Sequence, residues 1–296
     1  MRTRTFLPRF VVFLSFFSLP FSAAAKDRVT ILYDAFSDSK ELTKDWGFSA
    51  LIEHDGKRIL FDTGNNAATF EHNVKALGVD LSKLDLVVIS HRHTDHTTGL
   101  KYLLSINPNV PVYAPMEPFG MFGGSVPPTL IKPVASLPER MRYYDGKYPE
   151  KIPSGYPWSA GNFVLIDKLT EISPGIFLTF TVSKIPGTLE LRELSLVLRG
   201  PDGLSVIVGC SHPGIEEILQ AASSIDSHFH FLCGGLHLVN TPEPEIKRLA
   251  GSLKNKWKLG KIAPGHCTGE PAFLRLQKAF GDDYLYAGAG ARFEIP

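Results

Sequence analysis

The stretch Ser90–Leu100 (SHRHTDHTTGL) limits what this chain can become more than any other. It holds His91, His93, Asp95 and His96, directly after the apolar run Leu84–Ile89 (LDLVVI). A short apolar run bounded by polar residues reads as a buried strand. Open α/β sheets place their sites on the loops that leave strand C-terminal ends. Imidazole nitrogens and a carboxylate oxygen are good ligands for first-row ions, Zn²⁺ above all. The spacing divides them into two sets. His91 and His93, two residues apart, can face one ion; Asp95 and His96, beyond a turn, can face a second. A histidine-rich surface loop accounts for the composition, but not for its place behind a buried strand.

HRHTDH resembles the HxHxDH signature of the metallo-β-lactamase-fold superfamily. Four further stretches fit that pattern in order: Phe61–Gly64 (FDTG), Gly209–His212 (GCSH), Gly234–Leu238 (GGLHL) and Gly265–Gly269 (GHCTG). Together with Asp45–Glu53 (DWGFSALIE), they resemble the dihydropterin-ribofuranosylaminobenzene phosphate synthase-like branch of that superfamily. The likeness runs from Val29 to the C-terminus. It implies an α/β chain folded as an αββα sandwich, one domain over residues 26–296, with one or two divalent ions, zinc foremost.

Residues 1–25 are of another kind. Arg2, Arg4 and Arg9 precede the apolar stretch Phe10–Phe21, and Ala23, Ala24 and Ala25 follow as small residues suited to cleavage. This order is that of a secretory signal peptide, and the apolar part is short for a membrane span. The expectation is export to the periplasm, cleavage near Ala25 and no stable membrane anchor. The remaining chain of about 270 residues is long enough for one domain with a substantial core. Without the three leader arginines, the 31 basic residues fall to 28 against 30 acidic, a net charge of about −2. No basic excess is left to neutralise phosphates, which argues against nucleic acid as a partner. A small-molecule substrate is the expected partner, and the sequence does not fix the oligomeric state. Cys210, Cys233 and Cys267 form no disulfide framework by number or spacing. An oxidising compartment would allow a Cys210–Cys267 bridge; small buried hydrophobes are the alternative.

Hydrophobic patterning predicts strands at Val29–Tyr33, Gly47–Glu53 and Arg58–Phe61 and a helix within Asn65–Gly78. A short helix over Gly99–Ile106 and a strand at Val110–Tyr113 come next. Residues 115–161 change character, with many prolines, glycines and aromatics. So long an irregular insertion is functional or disordered. The aromatics Phe119, Met121 beside Phe122, Tyr143, Tyr144, Tyr148, Tyr156 and Trp158 favour an ordered cap or lid over a site. A packing excursion or dimer contact is the alternative. Beyond it come strands at Phe163–Ile166 and Ile176–Phe180, then a hairpin with arms Leu194–Leu198 and Leu204–Val208. Helix Ile215–Ala222, strand Phe229–Leu232, helix Pro244–Leu253, strand Lys258–Ala263 and helix Ala272–Phe280 complete the chain.

The resemblance assigns His266 as the last metal histidine, beside Asp95 and His96. His212 is the candidate third ligand for the His91/His93 ion. Many superfamily members carry a histidine ahead of the hairpin and a metal-bridging Asp after its second arm. Here no histidine lies between His96 and His212, and the bridging position falls near Cys210. A Cys210 thiolate suits zinc, or the GCSH backbone simply takes the place of the bridge; the expectation is that Cys210→Ser leaves metal content unchanged. Glu190 and Glu193 are weaker stand-ins, and one-ion occupancy follows if no bridge exists. Asp62, at a strand end, is expected to orient the metal loop without ligating. His237 is a candidate proton donor or phosphate contact; a packed histidine is the alternative.

These residues imply a metal-dependent hydrolase. Its ions would lower the pKa of bound water and supply hydroxide as nucleophile, with Asp95 orienting that water. The branch resemblance implies an ester-like, phosphorylated or pterin-type small molecule, although export sits poorly with a cytoplasmic biosynthesis. A fold alone decides no substrate. The competing class is a non-catalytic periplasmic metal- or ligand-binding protein, favoured by a cysteine where a bridging carboxylate is usual.

Overall fold

Alternation of side chains along the strands builds this molecule in layers. The structure, a computed structural model, describes residues 27–118, 124–126, 133–147, 149, 150, 152–154, 158 and 160–296. The leader, and Phe119, Met121, Phe122, Tyr148 and Tyr156 of the insertion, lie outside the described residues. The N-terminal half supplies β1 (Arg28–Tyr33), β2 (Ser49–His54), β3 (Lys57–Phe61), β4 (Leu86–Val88), β5 (Pro111–Pro115), β6 (Gly124–Val126), β7 (Ile152–Ser154) and β8 (Asn162–Ile166). The C-terminal half supplies β9 (Thr170–Ser173), β10 (Ile176–Val182), β11 (Arg192–Gly200), β12 (Gly203–Val208), β13 (Phe229–Gly235), β14 (Lys261–Gly265) and β15 (Arg292–Glu294). The helices are α1 (Ala67–Ala76), α2 (Thr94–Thr97), α3 (Leu100–Ile106), α4 (Ile215–Ala222), α5 (Glu243–Asn255) and α6 (Glu270–Phe280).

One sheet runs β15-β1-β2-β3-β4-β5-β8 and the other β14-β13-β12-β11-β10-β9. Successive residues of a strand face opposite sides of its sheet. Ala50 and Ile52 of β2 and Ile59 and Phe61 of β3 therefore meet Leu194, Leu196 and Ile207 of the second sheet in a core between the layers. Leu51 and Leu60, one residue out of phase, pack instead with Phe70 and Val74 of α1 and Leu100 and Leu103 of α3. On the far side, Val197, Val206 and Val208 pack with Ile218 and Leu219 of α4, Leu249 and Leu253 of α5 and Leu276 of α6. The result is the expected αββα order. Each fully buried aliphatic or aromatic side chain here contributes roughly 1.5–3 kcal/mol.

β3, β4, β5 and β8 are mutually parallel, as are β12, β13 and β14. Parallel neighbours need crossovers, and α1, α3, α4 and α5 provide them. All these strands consequently end on the same side of their sheets. Asp62 follows β3, Ser90–His96 follow β4, Gly209–His212 follow β12, His237 follows β13 and His266 follows β14.

The insertion contains more regular structure than its composition suggests. β6 and β7 pair antiparallel, and tight helical turns occupy Glu139–Met141 and Tyr143–Gly146. Tyr143 and Tyr144 are exposed, so these two aromatics line no enclosed wall; Trp158 packs on the α1/α3 side of the first sheet. Among the described residues, no helix is long and apolar enough to cross a membrane.

Candidate metal centre

The metal loop is held from below by Asp62. Its carboxylate accepts hydrogen bonds from the Ser90 backbone N–H (2.7 Å) and the Ser90 hydroxyl (2.7 Å). It also lies 2.7 Å from His96 Nδ1, with both side chains fully buried. A carboxylate only accepts, so His96 donates from Nδ1 and turns the Nε2 lone pair outward. Because the Ser90 hydroxyl hydrogen goes to Asp62, His91 Nδ1, 2.8 Å from Ser90 Oγ, must donate as well. His91 thus also presents an unprotonated Nε2. Gly209 makes this contact possible: a Cβ there would meet Ser90 Oγ at 2.2 Å. Asp62, Ser211, His237 and His266 all sit at positive φ, a backbone cost of order 1–3 kcal/mol each that clusters at functional sites.

The ligand atoms gather in overlapping groups. His91, His93 and His212 form one and Asp95, His96 and His266 another, each with its ligand atoms within 4.8 Å of one another. His91 Nε2 lies 3.1 Å from His93 Nδ1. Asp95 Oδ2 lies 3.4 Å from His266 Nε2 and 3.8 Å from His96 Nε2. Ligands around a tetrahedral zinc, with bonds of about 2.0–2.1 Å, stand about 3.3 Å apart. His212 and His266 are almost fully buried, and neither ring nitrogen of either makes a hydrogen bond. Buried imidazole nitrogens without hydrogen bonds, gathered in a cluster of donor atoms, are what a cation's ligands require. The donor set therefore fits divalent metal.

Electrostatics agree with that chemistry for His91, His93 and His212. Burial, reinforced by the facing imidazoles of His96, His212 and His93, drives His91 well below the ordinary histidine range. Burial lowers His93 to about 4 and His212 to about 2, so both are neutral and able to ligate. Burial opposes charge on His96 too, but Asp62 outweighs it and raises His96 to about 9, so a cation bound at His96 would take the place of the Nε2 proton while Nδ1 keeps its hydrogen bond to Asp62. For Asp95, burial is outweighed by His266 and His96, which hold the carboxyl below its ordinary value and ionised.

Cys210 stands between the two sets. Its sulfur is 3.1 Å from His96 Nε2, and it forms a third group with His91 and His96, one histidine from each set. It forms a fourth with His237 and Cys267. All three cysteines are buried and unbridged. Glu193 does not point at the ligands. Its carboxylate accepts the backbone N–H groups of Cys210 (3.1 Å), Ser211 (2.7 Å) and His212 (2.8 Å), and so anchors the GCSH turn. Glu190 belongs to no ligand group among the described residues. The His237 ring lies beside that of His212, tilted by 59° with centroids 4.2 Å apart, and reaches solvent.

Sequence reasoning missed two supports, Asp34 and the Arg92–Glu117 pair, and gave a third, Glu193, a different role. Asp34, fully buried at the end of β1, accepts the His266 backbone N–H at 2.9 Å; its place after an apolar strand repeats that of Asp62 and was the available signal. Glu193 gave no local signal, since its partners lie 17 to 19 residues away. Arg92, within the metal loop, pairs at 3.1 Å with Glu117, whose side chain is fully buried, and ties the loop to the root of the insertion.

A model of the metallo-β-lactamase superfamily matches residues 44–206, more than half of the chain. The chain belongs to that superfamily. It is 28% identical over 288 residues to 7,8-dihydropterin-6-methyl-4-(β-D-ribofuranosyl)-aminobenzene-5'-phosphate synthase of Methanocaldococcus jannaschii, covering 83% of this chain and 90% of the relative. Among solved structures it is similar to Tm1679, a metal-dependent hydrolase of the β-lactamase superfamily. That pair has a TM-score of 0.66 and 26% identity, over 91% of this chain and 99% of the other. A diphosphatase of the PhnP family shares the fold at 15% identity and a TM-score of 0.53, over 92% of this chain and 98% of that one.

Proposed function

We propose that this chain is a metal-dependent hydrolase acting on an ester-like small molecule. The observation that carries the reading is the convergence of two complete three-ligand groups, His91/His93/His212 and Asp95/His96/His266, behind parallel strands. Divalent ions bound there, zinc foremost by donor type, supply Lewis acidity and an activated water near neutral pH. The protein's own groups have distinct tasks. Asp62 fixes the tautomers of His91 and His96. Asp95, ionised and partly exposed, would orient a water activated there and accept its hydrogen bond. His237 reaches solvent beside His212, and contact with Cys267 raises its pKa, which suits a proton donor to the leaving oxygen.

A phosphorylated or pterin-type substrate is the finer form of this proposal. Its support is the likeness to the M. jannaschii synthase and the diphosphatase fold neighbour. We also propose that residues 1–25 direct export to the periplasm, that the insertion caps the site and that the partner is a small molecule. N-terminal sequencing from the native host should begin near Lys26; a start at Met1 would defeat the export proposal. The thiols beside the histidines favour the second reading, a non-catalytic metal-binding protein. Turnover of a broad ester and phosphoester panel, with and without chelator, separates the two. Chelator-sensitive turnover is expected; metal-loaded protein that turns over no ester would leave only the binding reading.

A further inference from the structure

Next to His266 the surface opens into a cleft of about 400 Å³ that the metal ligands do not explain. Its lining includes Phe36, Trp46, Val239, Pro271 and the acidic Glu270, together with buried His266. Trp46 is 46% exposed, unusually open for an indole, and its ring centroid stands 5.0 Å from that of His266. Its backbone is nonetheless firmly held. Its backbone N–H donates to Asp45 Oδ1 (2.8 Å), while Asp45 Oδ2 accepts the buried Tyr33 hydroxyl at 2.5 Å. The next residue, Gly47, has φ +145 and lies where a Cβ would meet the Asp95 carbonyl oxygen at 2.6 Å, so the turn is pressed directly against the metal loop. Phe36, in the same lining, packs edge-on against Phe273 (5.3 Å, 86°), and its carbonyl accepts the Ala289 N–H at 2.7 Å.

Two aromatic side chains thus line one cleft beside a candidate ligand histidine, a lining that suits something flat. We infer that this cleft is a stacking subsite for a planar aromatic or heteroaromatic ring on the substrate, with Trp46 as its platform. The ring lies on the Asp95/His96/His266 side of the centre, and the group to be hydrolysed projects from it toward the ligands. The volume is at the small end of ligand sites, enough for one ring system and not for a polymer. The backbone beneath both rings is fixed before binding, and a tryptophan has only two side-chain torsions to lose on stacking. This inference rests on the hydrolase reading for the direction of the substrate, but a binding experiment tests it without turnover.

Zinc-loaded protein is titrated by calorimetry with two non-hydrolysable probes, phenylphosphonate and methylphosphonate, and tryptophan emission is followed alongside. The phenyl probe should bind tighter by about two- to tenfold, the range of one aromatic pair, and should quench emission. Trp46→Ala should abolish both the preference and the quenching, and Trp46→Phe should keep most of the preference. Thermal melting of each variant checks that this half-exposed position has not disturbed the fold. If wild-type protein shows no preference for the ring, whether both probes bind or neither, the inference is overturned; so too if Trp46→Ala keeps the preference. A ring preference without turnover of any ester would sink the hydrolase reading and leave the subsite standing.

Discussion

Asp62 Oδ2 lies 2.7 Å from His96 Nδ1, and the same carboxylate receives the Ser90 hydroxyl that orients His91. One buried acid thus sets the tautomer of a histidine in each ligand group. The two sets are not independent, because a change at Asp62 reaches both.

Asp62→Asn should therefore weaken both ions together. An amide can offer His96 its oxygen but then presents N–H₂ to Ser90, where an acceptor is needed. Loss of such a supporting carboxylate typically costs 10- to 100-fold in metal affinity. Competition with a chromophoric chelator measures it. Wild-type affinity at both sites would show that Asp62 is only a packing residue.

Much of this was legible in the sequence for physical reasons. The layers follow from period-two alternation in strands such as β2 and β3 and helical spacing in α1, and parallel strands bring their polar ends to one side. The sequence reading placed the ligands as motifs after strands because a strand end fixes where the next residue goes. It named Glu193 only as a stand-in ligand and missed its anchoring role, which depends on three N–H groups presented by a distant turn. Nor did it find the Arg92–Glu117 pair, since nothing local tells which acid of the insertion returns to the loop. Trp46 was read as part of a strand-leading motif, because exposure cannot be inferred from neighbours in the chain.

Cys210→Ser was expected to leave metal content unchanged, and the geometry argues for the opposite outcome. The Cys210 sulfur is 3.1 Å from His96 Nε2 and grouped with His91, so it reaches toward both ligand sets. A serine hydroxyl is shorter and a poorer zinc ligand than thiolate. Bound zinc per chain should fall in the serine variant, as read by elemental analysis after dialysis. Unchanged stoichiometry would return Cys210 to the role of a small buried hydrophobe.

Glu193→Ala should be among the most damaging single changes outside the ligands. It strips one shared acceptor from the N–H groups of Cys210, Ser211 and His212 in a fully buried place. Unsatisfied buried donors cost roughly 1–3 kcal/mol each, and part is recovered if water enters, so a loss of about 2–5 kcal/mol is expected. Denaturant midpoints report the stability, and metal affinity should fall with them because His212 leaves its place. A variant as stable as the parent would mean that the turn holds itself.

Glu117 gives a prediction in which two forces oppose each other. Burial disfavours its charge, while Arg92, at 3.1 Å, favours it. Burial wins, raising the carboxyl from 4.5 to about 7. The folded chain then holds this proton more tightly than the unfolded chain does. Its contribution to stability is full below about pH 4.5, and it falls as the pH rises through about 7. Glu117→Gln keeps the shape and removes the titration. The stability of wild-type protein relative to this variant should therefore decline between pH 5 and pH 8, measured by urea denaturation of both chains in matched buffers. The histidines titrate in both proteins and cancel in the difference. A difference that stays level or grows with pH would show that the Arg92 charge outweighs burial, and that the root of the insertion is held by a true ion pair.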